Sequence, residues 1–160
     1  MDGPDVAAGR SWMGIGEPAD VLHARYAVER LARSLHLDDD LVDDAMLITG
    51  ELAANLVVHA GGGELLAQRS PDGRGLEILS LDRGPGTLDR EVCVPLGYST
   101  AGSCGAGLGI VEQLSGSFDV FSSPRTGTVV LSRLGAGSRS DPTLGAVFPR
   151  SGPGSRLELW

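Results

Sequence analysis

The sequence has few aromatic residues and few cysteines, and it lacks any long hydrophobic run. Aromatic side chains make up 4% of the 160 residues, so we expect a core of Leu, Val, Ile and Ala. Cys93 and Cys104 are too few for a disulfide framework or a structural zinc site, and we interpret them as free thiols of a reducing cytosol. No apolar stretch has membrane-spanning length, and residues 1–10 do not resemble a signal peptide. These absences predict a cytoplasmic protein.

The residues that are present predict one acidic folded domain. Hydrophobic residues make up 41% of a chain that is long enough to bury a sizeable core. The net charge of −8 argues against a general nucleic-acid or anionic-membrane binder, although it leaves room for a local basic patch for phosphates. We expect a flexible leader over 1–9, a folded domain over 10–134 and a Gly/Ser/Pro-rich tail or linker over 135–160. The final segment 157–160 is compatible with the start of a further domain or a short docking segment.

Helical periodicity predicts two helices in the first half of the domain. Apolar residues recur at helical spacing after Pro18, which predicts a helix over 18–36. A second helix is predicted from the acidic run Asp38–Asp40 to about Ala60, where three glycines end it. We interpret the acidic run as a helix cap rather than a metal site, because acids at a helix N-terminus complement its dipole. The apolar stripe of this helix is predicted to comprise Leu41, Ala45, Ile48, Leu52 and Leu56.

Shorter patterns predict five strands and a third helix. The strands are expected at 11–15, 65–69, 76–81, 118–121 and 128–134, with turns at 71–75 and 123–127. The third helix is expected over 107–114. The long segment 83–104 lacks periodicity and contains several Gly and Pro residues. Such a loop inside a compact domain is usually functional and often forms a lid.

Glu51 and Asn55 are the first candidate site residues. They lie four residues apart on the second helix and therefore share one face. An amide oxygen can ligate Mg²⁺, and a carboxylate can orient or deprotonate an attacking hydroxyl group, as phosphoryl transfer requires. The alternative is a polar pair on the helix surface. We interpret His59, one turn further on, as a structural residue at the helix C-terminus.

Two glycine-containing segments follow. Asp82 ends a strand before Gly84-Pro85-Gly86, so its carboxylate could accept a hydrogen bond from an exocyclic amine, or it could form an ordinary turn. Four further glycines precede and open the third helix, where backbone N–H groups favour phosphates. This run is neither a dinucleotide-binding fingerprint nor a P-loop, because no βαβ unit surrounds it and no Gly-Lys-Ser/Thr follows. These glycines are Gly102, Gly105, Gly107 and Gly109.

In combination these segments resemble the GHKL ATPase superfamily, and within it the RsbT-type switch serine kinases and anti-sigma regulatory factors. The resemblance covers about residues 10–134. It rests on Gly50–Asn55 with His59-Ala60, on 82–86, on 97–102, on 105–109 and on 127–130. It implies an α+β fold, a two-layer Bergerat-type sandwich with a mixed, mostly antiparallel sheet and helices on one face.

The resemblance also implies roles for single residues. Glu51 matches the general base, Asn55 the Mg²⁺ ligand and Asp82 the residue that binds the adenine N6 amine. Gly84 belongs to the same adenine-binding segment, and Gly86 is expected to pack near the ring. Thr128 matches a hydroxyl near the adenine. The ATP lid and phosphate loop match Gly102, Gly105, Gly107, Leu108 and Gly109. The sequence departs from the family's pattern at two places, Arg83 and Cys104-Gly105-Ala106. Both departures bear on the behaviour of the lid more than on ATP binding.

The function implied by the resemblance is an ATP- and Mg²⁺-dependent protein serine/threonine kinase that phosphorylates a STAS-domain antagonist protein. Such kinases control a sigma factor or a phosphatase by exchanging partners. The alternatives are a non-catalytic ATP-binding module that sequesters a sigma factor or STAS protein, and the N-terminal regulatory domain of a PP2C-like phosphatase. A homodimer remains open, and no direct nucleic-acid or membrane partner is expected.

Overall fold

The computed structural model describes residues 9–84, 105–123 and 125–135. Two helices follow the first strand, and a short π-helix connects them to a hairpin; a third helix then precedes a second hairpin. The strands are β1 (Arg10–Ile15), β2 (Gly63–Arg69), β3 (Gly75–Asp82), β4 (Ser117–Ser123) and β5 (Gly127–Gly135). The helices are α1 (Pro18–Ser34), α2 (Asp39–Asn55), the π-helix (Leu56–Ala60) and α3 (Gly105–Leu114).

The five strands form one sheet in the order β1-β2-β3-β5-β4, and every pairing among them is antiparallel. Because side chains alternate across a strand, each strand turns one row of residues toward the helices. Leu65, Ile78 and Val130 belong to these rows and pack with helical residues such as Leu31 and Ile48 in one core. The predicted α+β two-layer sandwich with helices on one face is confirmed.

Helix α1 begins as the sequence predicts and ends slightly earlier. Asp20 in its first turn accepts hydrogen bonds from the backbone N–H groups of Gly16 (2.8 Å) and Glu17 (3.0 Å). These bonds lower the pKa of the Asp20 carboxyl group. The helix ends at Ser34 instead of residue 36, because His36 takes a left-handed conformation with φ 58°.

Helix α2 confirms the capping role of the acidic run. The Asp38 side chain accepts a hydrogen bond from the backbone N–H of Leu41 at 2.9 Å. Within the described ranges, no group of three or more His, Cys, Asp or Glu residues could hold a metal ion. The buried stripe is wider than predicted, and Leu41 lies only half-buried at its margin. The buried residues are Val42, Ala45, Ile48, Thr49, Leu52 and Ala53, with Leu56 beyond the helix end.

The segment after α2 differs from a continuous α-helix. The α-helix ends at Asn55, and residues 56–60 form one π-helical turn. Gly61 then adopts φ 71°, and the N–H of Gly62 donates to the carbonyl oxygen of Leu56 at 2.8 Å. The predicted end near Ala60 is confirmed, but the change of helix type was not predicted. Such π-turns are rare and frequently occur at functional sites.

The remaining predicted elements are confirmed with small changes of boundary. Both hairpins form, and α3 begins two residues earlier than expected. None of the described helices combines the length and the apolarity that crossing a membrane requires. Most of the predicted lid, both cysteines and the predicted leader and tail, apart from Gly9 and Gly135, lie outside the described ranges. The division into leader, domain and tail therefore stays a prediction.

Candidate active site

Glu51 and Asn55 occupy the C-terminal part of α2, close to the π-turn. Both side chains are half-buried, whereas the flanking Leu52 and Ala53 are buried in the core. Because Asn55 lies one α-helical turn after Glu51, the two side chains project from the same side of α2. This position leaves a carboxylate and an amide accessible next to the apolar interior.

Gly107 brings the start of α3 directly against the Glu51 carboxylate. A Cβ atom built on Gly107 would overlap Oε2 of Glu51, and it would lie 3.8 Å from the Cβ of Glu51. The absent side chain therefore creates the space that the carboxylate occupies. The first backbone N–H groups of a helix have no partner within that helix. The contact thus joins a carboxylate on α2 with a helix N-terminus that could bind an anion.

The second part of the site is built around Asp82, the last residue of β3. Its Oδ1 atom accepts hydrogen bonds from the backbone N–H of Gly84 at 2.9 Å and of Thr128 at 3.1 Å. Two donors, one just after β3 and one on β5, hold the carboxylate in one orientation. Because both of these bonds use Oδ1, the Oδ2 atom can serve as an acceptor for an exocyclic amine.

Gly84 connects this carboxylate to the end of the helix that carries Asn55. A Cβ on Gly84 would lie 3.0 Å from the Cα and 3.1 Å from the Cβ of Ala60, closer than side chains normally pack. Ala60 is the last residue of the π-turn, so the extra backbone of that turn meets the end of β3 here. Glycine at position 84 permits this close approach.

Gly127 belongs to the candidate site but was not among the binding residues predicted from the sequence. It adopts φ 91°, and a Cβ there would overlap the carbonyl oxygen of Asp82. This approach brings the N–H of Thr128 to the Asp82 carboxylate. The Thr128 hydroxyl instead pairs with the Ser122 hydroxyl at 2.9 Å, so the backbone of Thr128, rather than its side chain, contacts Asp82. The Arg125-Thr126-Gly127 turn was the available signal, since turns that need positive φ favour glycine.

Three of the other predicted site residues lie on α3, namely Gly105, Leu108 and Gly109. Gly105 is the first residue of α3, and Gly109 is exposed with no atom within 4 Å of a built Cβ. The Leu108 side chain is buried in the core, so a contact with a ligand would have to come from its backbone. Gly86 and Gly102 lie outside the described residues. His59 is exposed on the π-turn.

The residues present fit a magnesium nucleotide. Gly84 and Gly107 are two positions at which a Cβ would fill space beside a candidate carboxylate, that of Asp82 or of Glu51. Asp82 offers a fixed acceptor for an amine, and Asn55 offers an amide oxygen, a ligand type that Mg²⁺ accepts. Mg²⁺ is commonly held by one or two protein ligands together with substrate phosphates, so a single amide ligand suffices in such a site.

Comparison with known proteins identifies the family of this chain. The histidine kinase-like ATPase domain family matches residues 16–133 of this chain. The serine/threonine-protein kinase RsbT of Bacillus subtilis (strain 168) is 34% identical over 115 residues, which cover 69% of this chain and 85% of RsbT. The match includes α2, β3, α3 and the β4–β5 hairpin, where the candidate residues lie. The chain therefore belongs to the histidine kinase-like ATPase domain family.

Proposed function

We propose that this protein is an ATP- and Mg²⁺-dependent protein serine/threonine kinase of the partner-switching type, and that it phosphorylates a STAS-domain protein. The observation that carries the proposal is the contact between Glu51 and Gly107. It brings a carboxylate to the N-terminus of α3, which can bind a phosphate. The similarity to a serine/threonine-protein kinase over 115 residues supports the reaction class.

Binding and orientation are assigned to three groups of this chain. The Oδ2 atom of Asp82 accepts the adenine N6 amine, because Oδ1 is already held by two backbone N–H groups. The amide oxygen of Asn55 ligates Mg²⁺. The N–H groups in the first turn of α3, which have no partner within the helix, bind phosphate oxygens. Bound MgATP would supply the phosphoryl group and much of the charge neutralisation that its transfer needs.

Glu51 is assigned the proton transfer. Its carboxylate accepts the proton of the incoming serine or threonine hydroxyl, which must lie within hydrogen-bonding distance. The absent Cβ at Gly107 leaves room for the carboxylate in this position. A pure binding module would not need an acid there, which is why we favour the kinase over the non-catalytic alternative.

Glu51→Gln provides the test. We expect this variant to bind ATP with the affinity of the original chain and to lose phosphoryl transfer to a STAS-domain protein, as measured with radiolabelled ATP. Asp43→Asn is the matched control, because Asp43 is an exposed acid on the same helix. Equal transfer by Glu51→Gln would remove Glu51 from the mechanism. If the original chain forms a stable complex with the partner and yields no labelled product, the binding module is the better description.

A further inference from the structure

The face of the sheet that packs against the helices ends in a row of three polar side chains. Asp82 on β3 pairs with Thr128 on β5, and Thr128 pairs with Ser122 on β4. All three are half-buried, whereas Ser80 and Val130, the next pair on the same face, are buried in the interior. We call Asp82, Thr128 and Ser122 the polar row. Because the polar row is accessible at the end of the sheet, a ligand held by Asp82 lies close to the other two side chains.

The Thr128 residue is anchored from both sides of this row. Its backbone N–H donates to Oδ1 of Asp82 at 3.1 Å, and its hydroxyl oxygen lies 2.9 Å from the hydroxyl oxygen of Ser122, in a hydrogen bond. Gly127, at φ 91°, permits the close approach of β5 to the end of β3. The position of the Thr128 hydroxyl is therefore set by one neighbour on β3 and one on β4.

The hydroxyl pair leaves one proton for a further acceptor. A hydroxyl group has a single proton and two lone pairs, so one member of the pair donates to the other and the second proton stays available. If Ser122 donates, the Thr128 proton points away from Ser122. The negative charge of Asp82, one strand spacing of about 4.8 Å away, attracts a proton on that side and favours this direction. The donors then run in sequence from Ser122 through Thr128 toward the side of Asp82.

This direction matches the edge of an adenine ring. The N6 amine is a donor, and it is assigned to Oδ2 of Asp82. The ring atom N1, which is bonded to the carbon that carries this amine, is an acceptor and needs a donor from the protein. Guanine presents the reverse pattern, with an acceptor oxygen at C6 and a donor N–H at N1. A carboxylate beside a hydroxyl whose proton has a fixed direction therefore selects adenine, since a mismatched base leaves polar groups unpaired.

We propose that Ser122 is a positioning residue for nucleotide selection, which donates to the Thr128 hydroxyl and so directs its proton toward N1 of adenine. The inference rests on the proposed function, because it takes Asp82 as the acceptor of the adenine amine. Ser122 acts through Thr128 and does not itself contact the base. Without Ser122 the Thr128 side chain loses the bond that fixes its rotamer, so that both the place and the direction of its proton become variable.

The chain contains a second hydroxyl pair that serves as a comparison. Hydroxyl pairs between strands also stabilise sheets in the absence of any ligand, so a purely structural role of Ser122 is the alternative. Ser115 and Ser132 form a pair at 2.6 Å, and Ser132 lies on the same face of β5 as Thr128, four residues further along. Four residues of a strand span about 14 Å, which separates this pair from the polar row. Ser115→Ala is therefore the matched control.

The test is calorimetric titration of the full chain with the magnesium complexes of ATP and of 1-deaza-ATP, in which a C–H group replaces N1. We expect Ser122→Ala to weaken ATP binding by about 3–10-fold, the range of one hydrogen bond, and to leave binding of 1-deaza-ATP unchanged. Thr128→Val should give the same pattern. The double variant should bind ATP no more weakly than Thr128→Val alone, because both residues act through one bond to N1. Ser115→Ala should change neither affinity.

Two further variants keep the test decisive. Ser122→Thr retains the hydroxyl and should bind ATP as the original chain does. If circular dichroism shows that Ser122→Ala does not fold, Ser122→Cys takes its place, since a thiol is a weaker donor of similar size.

Three results overturn the inference: unchanged ATP binding by Ser122→Ala, equal weakening of both nucleotides by this variant, or equal affinity of the original chain for both nucleotides. Equal weakening would assign Ser122 a structural role. If the original chain binds neither nucleotide, the proposed function fails and the inference fails with it. If the original chain binds ATP and Ser122→Ala does not discriminate between the nucleotides, the inference alone fails.

Discussion

Gly107 on α3 and Glu51 on α2 are in direct contact, and the contact depends on the absence of a Cβ at position 107. The atom that such a Cβ would displace is Oε2 of the carboxylate, at the end of a flexible side chain. The Glu51 carboxylate can therefore be displaced without disturbing the core that holds α2 and α3 together. This separation makes several of the proposed roles testable.

Gly107→Ala is expected to abolish phosphoryl transfer while preserving the fold. The added methyl group forces the Glu51 carboxylate to move, and displacement of a catalytic group by about 1 Å can cost ~100-fold in rate. Thermal unfolding, ATP affinity and transfer of labelled phosphate are the measurements. Gly109→Ala is the stability control, because the added Cβ meets no atom. Since alanine is a better helix former than glycine, this variant should raise the free energy of unfolding by about 0.5–1 kcal/mol. Full transfer by Gly107→Ala would contradict the assigned position of Glu51.

Asp82→Asn is expected to lower ATP affinity by about 10–100-fold, since one lost or mismatched hydrogen bond costs ~1–3 kcal/mol. The asparagine oxygen can still accept the N–H groups of Gly84 and Thr128, so the local fold should survive. Its NH₂ group, however, then faces the adenine amine as a second donor. Calorimetric titration with MgATP and MgGTP should show a shift of preference toward GTP. An unchanged affinity for ATP would exclude the adenine-binding role.

Arg133→Met is expected to destabilise the fold by about 3–5 kcal/mol, because it leaves the carboxylate of Glu77 buried without its cation. The Arg133–Glu77 pair joins β5 to β3 at 2.6 Å, with side-chain exposures of 15% and 9%. Denaturant unfolding at one fixed protein concentration is the measurement. A second substitution, Glu77→Gln, removes the unpaired buried charge and should recover much of the lost free energy of unfolding. Arg33→Met, which breaks exposed pairs with Glu29 and Asp39, should change stability little.

Asp20→Asn is expected to reduce the free energy of unfolding at neutral pH. The difference in stability between the original chain and the variant should become smaller in acid. Hydrogen bonds from Gly16 and Glu17 hold the pKa of Asp20 below its ordinary value of 3.8. The stabilisation is therefore present above that pH and is lost as the pH falls through the folded-state pKa. Unfolding curves at pH 7, 4 and 3 measure it. Asp43→Asn is the control for removing an exposed acid elsewhere in the chain. If the stability difference between Asp20→Asn and the original chain did not change with pH, the role of the Asp20 charge would be contradicted.

Much of the secondary structure follows from local patterns. The Asp38 cap, the turn at 71–75 and the two strands that flank this turn are properties of short segments, and the structure confirms each. The errors are also local. His36 ends α1 early by adopting a left-handed conformation, and the buried stripe of α2 extends to Val42. The first is a local helix end, in which the N–H of Leu37 donates to the carbonyl oxygen of Ala32 at 3.2 Å. The second places the boundary of the stripe one residue away from Leu41.

The candidate site was predictable as a set of residues but not as an arrangement. The motif order identified Glu51, Asn55 and Asp82, because their residue types suit nucleotide chemistry. Nothing in those motifs indicates that Gly127 sits against the Asp82 backbone, since the two residues meet only through the pairing of β3 with β5. The same applies to the sheet face opposite the helices, where Leu66, Leu79 and Leu131 are neighbours only through the register of three strands.

Residue order and periodicity were sufficient to define the elements, the family resemblance and the chemical character of the candidate residues, because each of these depends on neighbours within a few positions. Two features depended on contacts between distant segments: the approach of Ala60, at the end of the π-turn, to Gly84, and the approach of Gly107 to Glu51. Close packing produces them. Their geometry is set by which backbones can approach each other without a Cβ between them, and that is a property of the assembled layers.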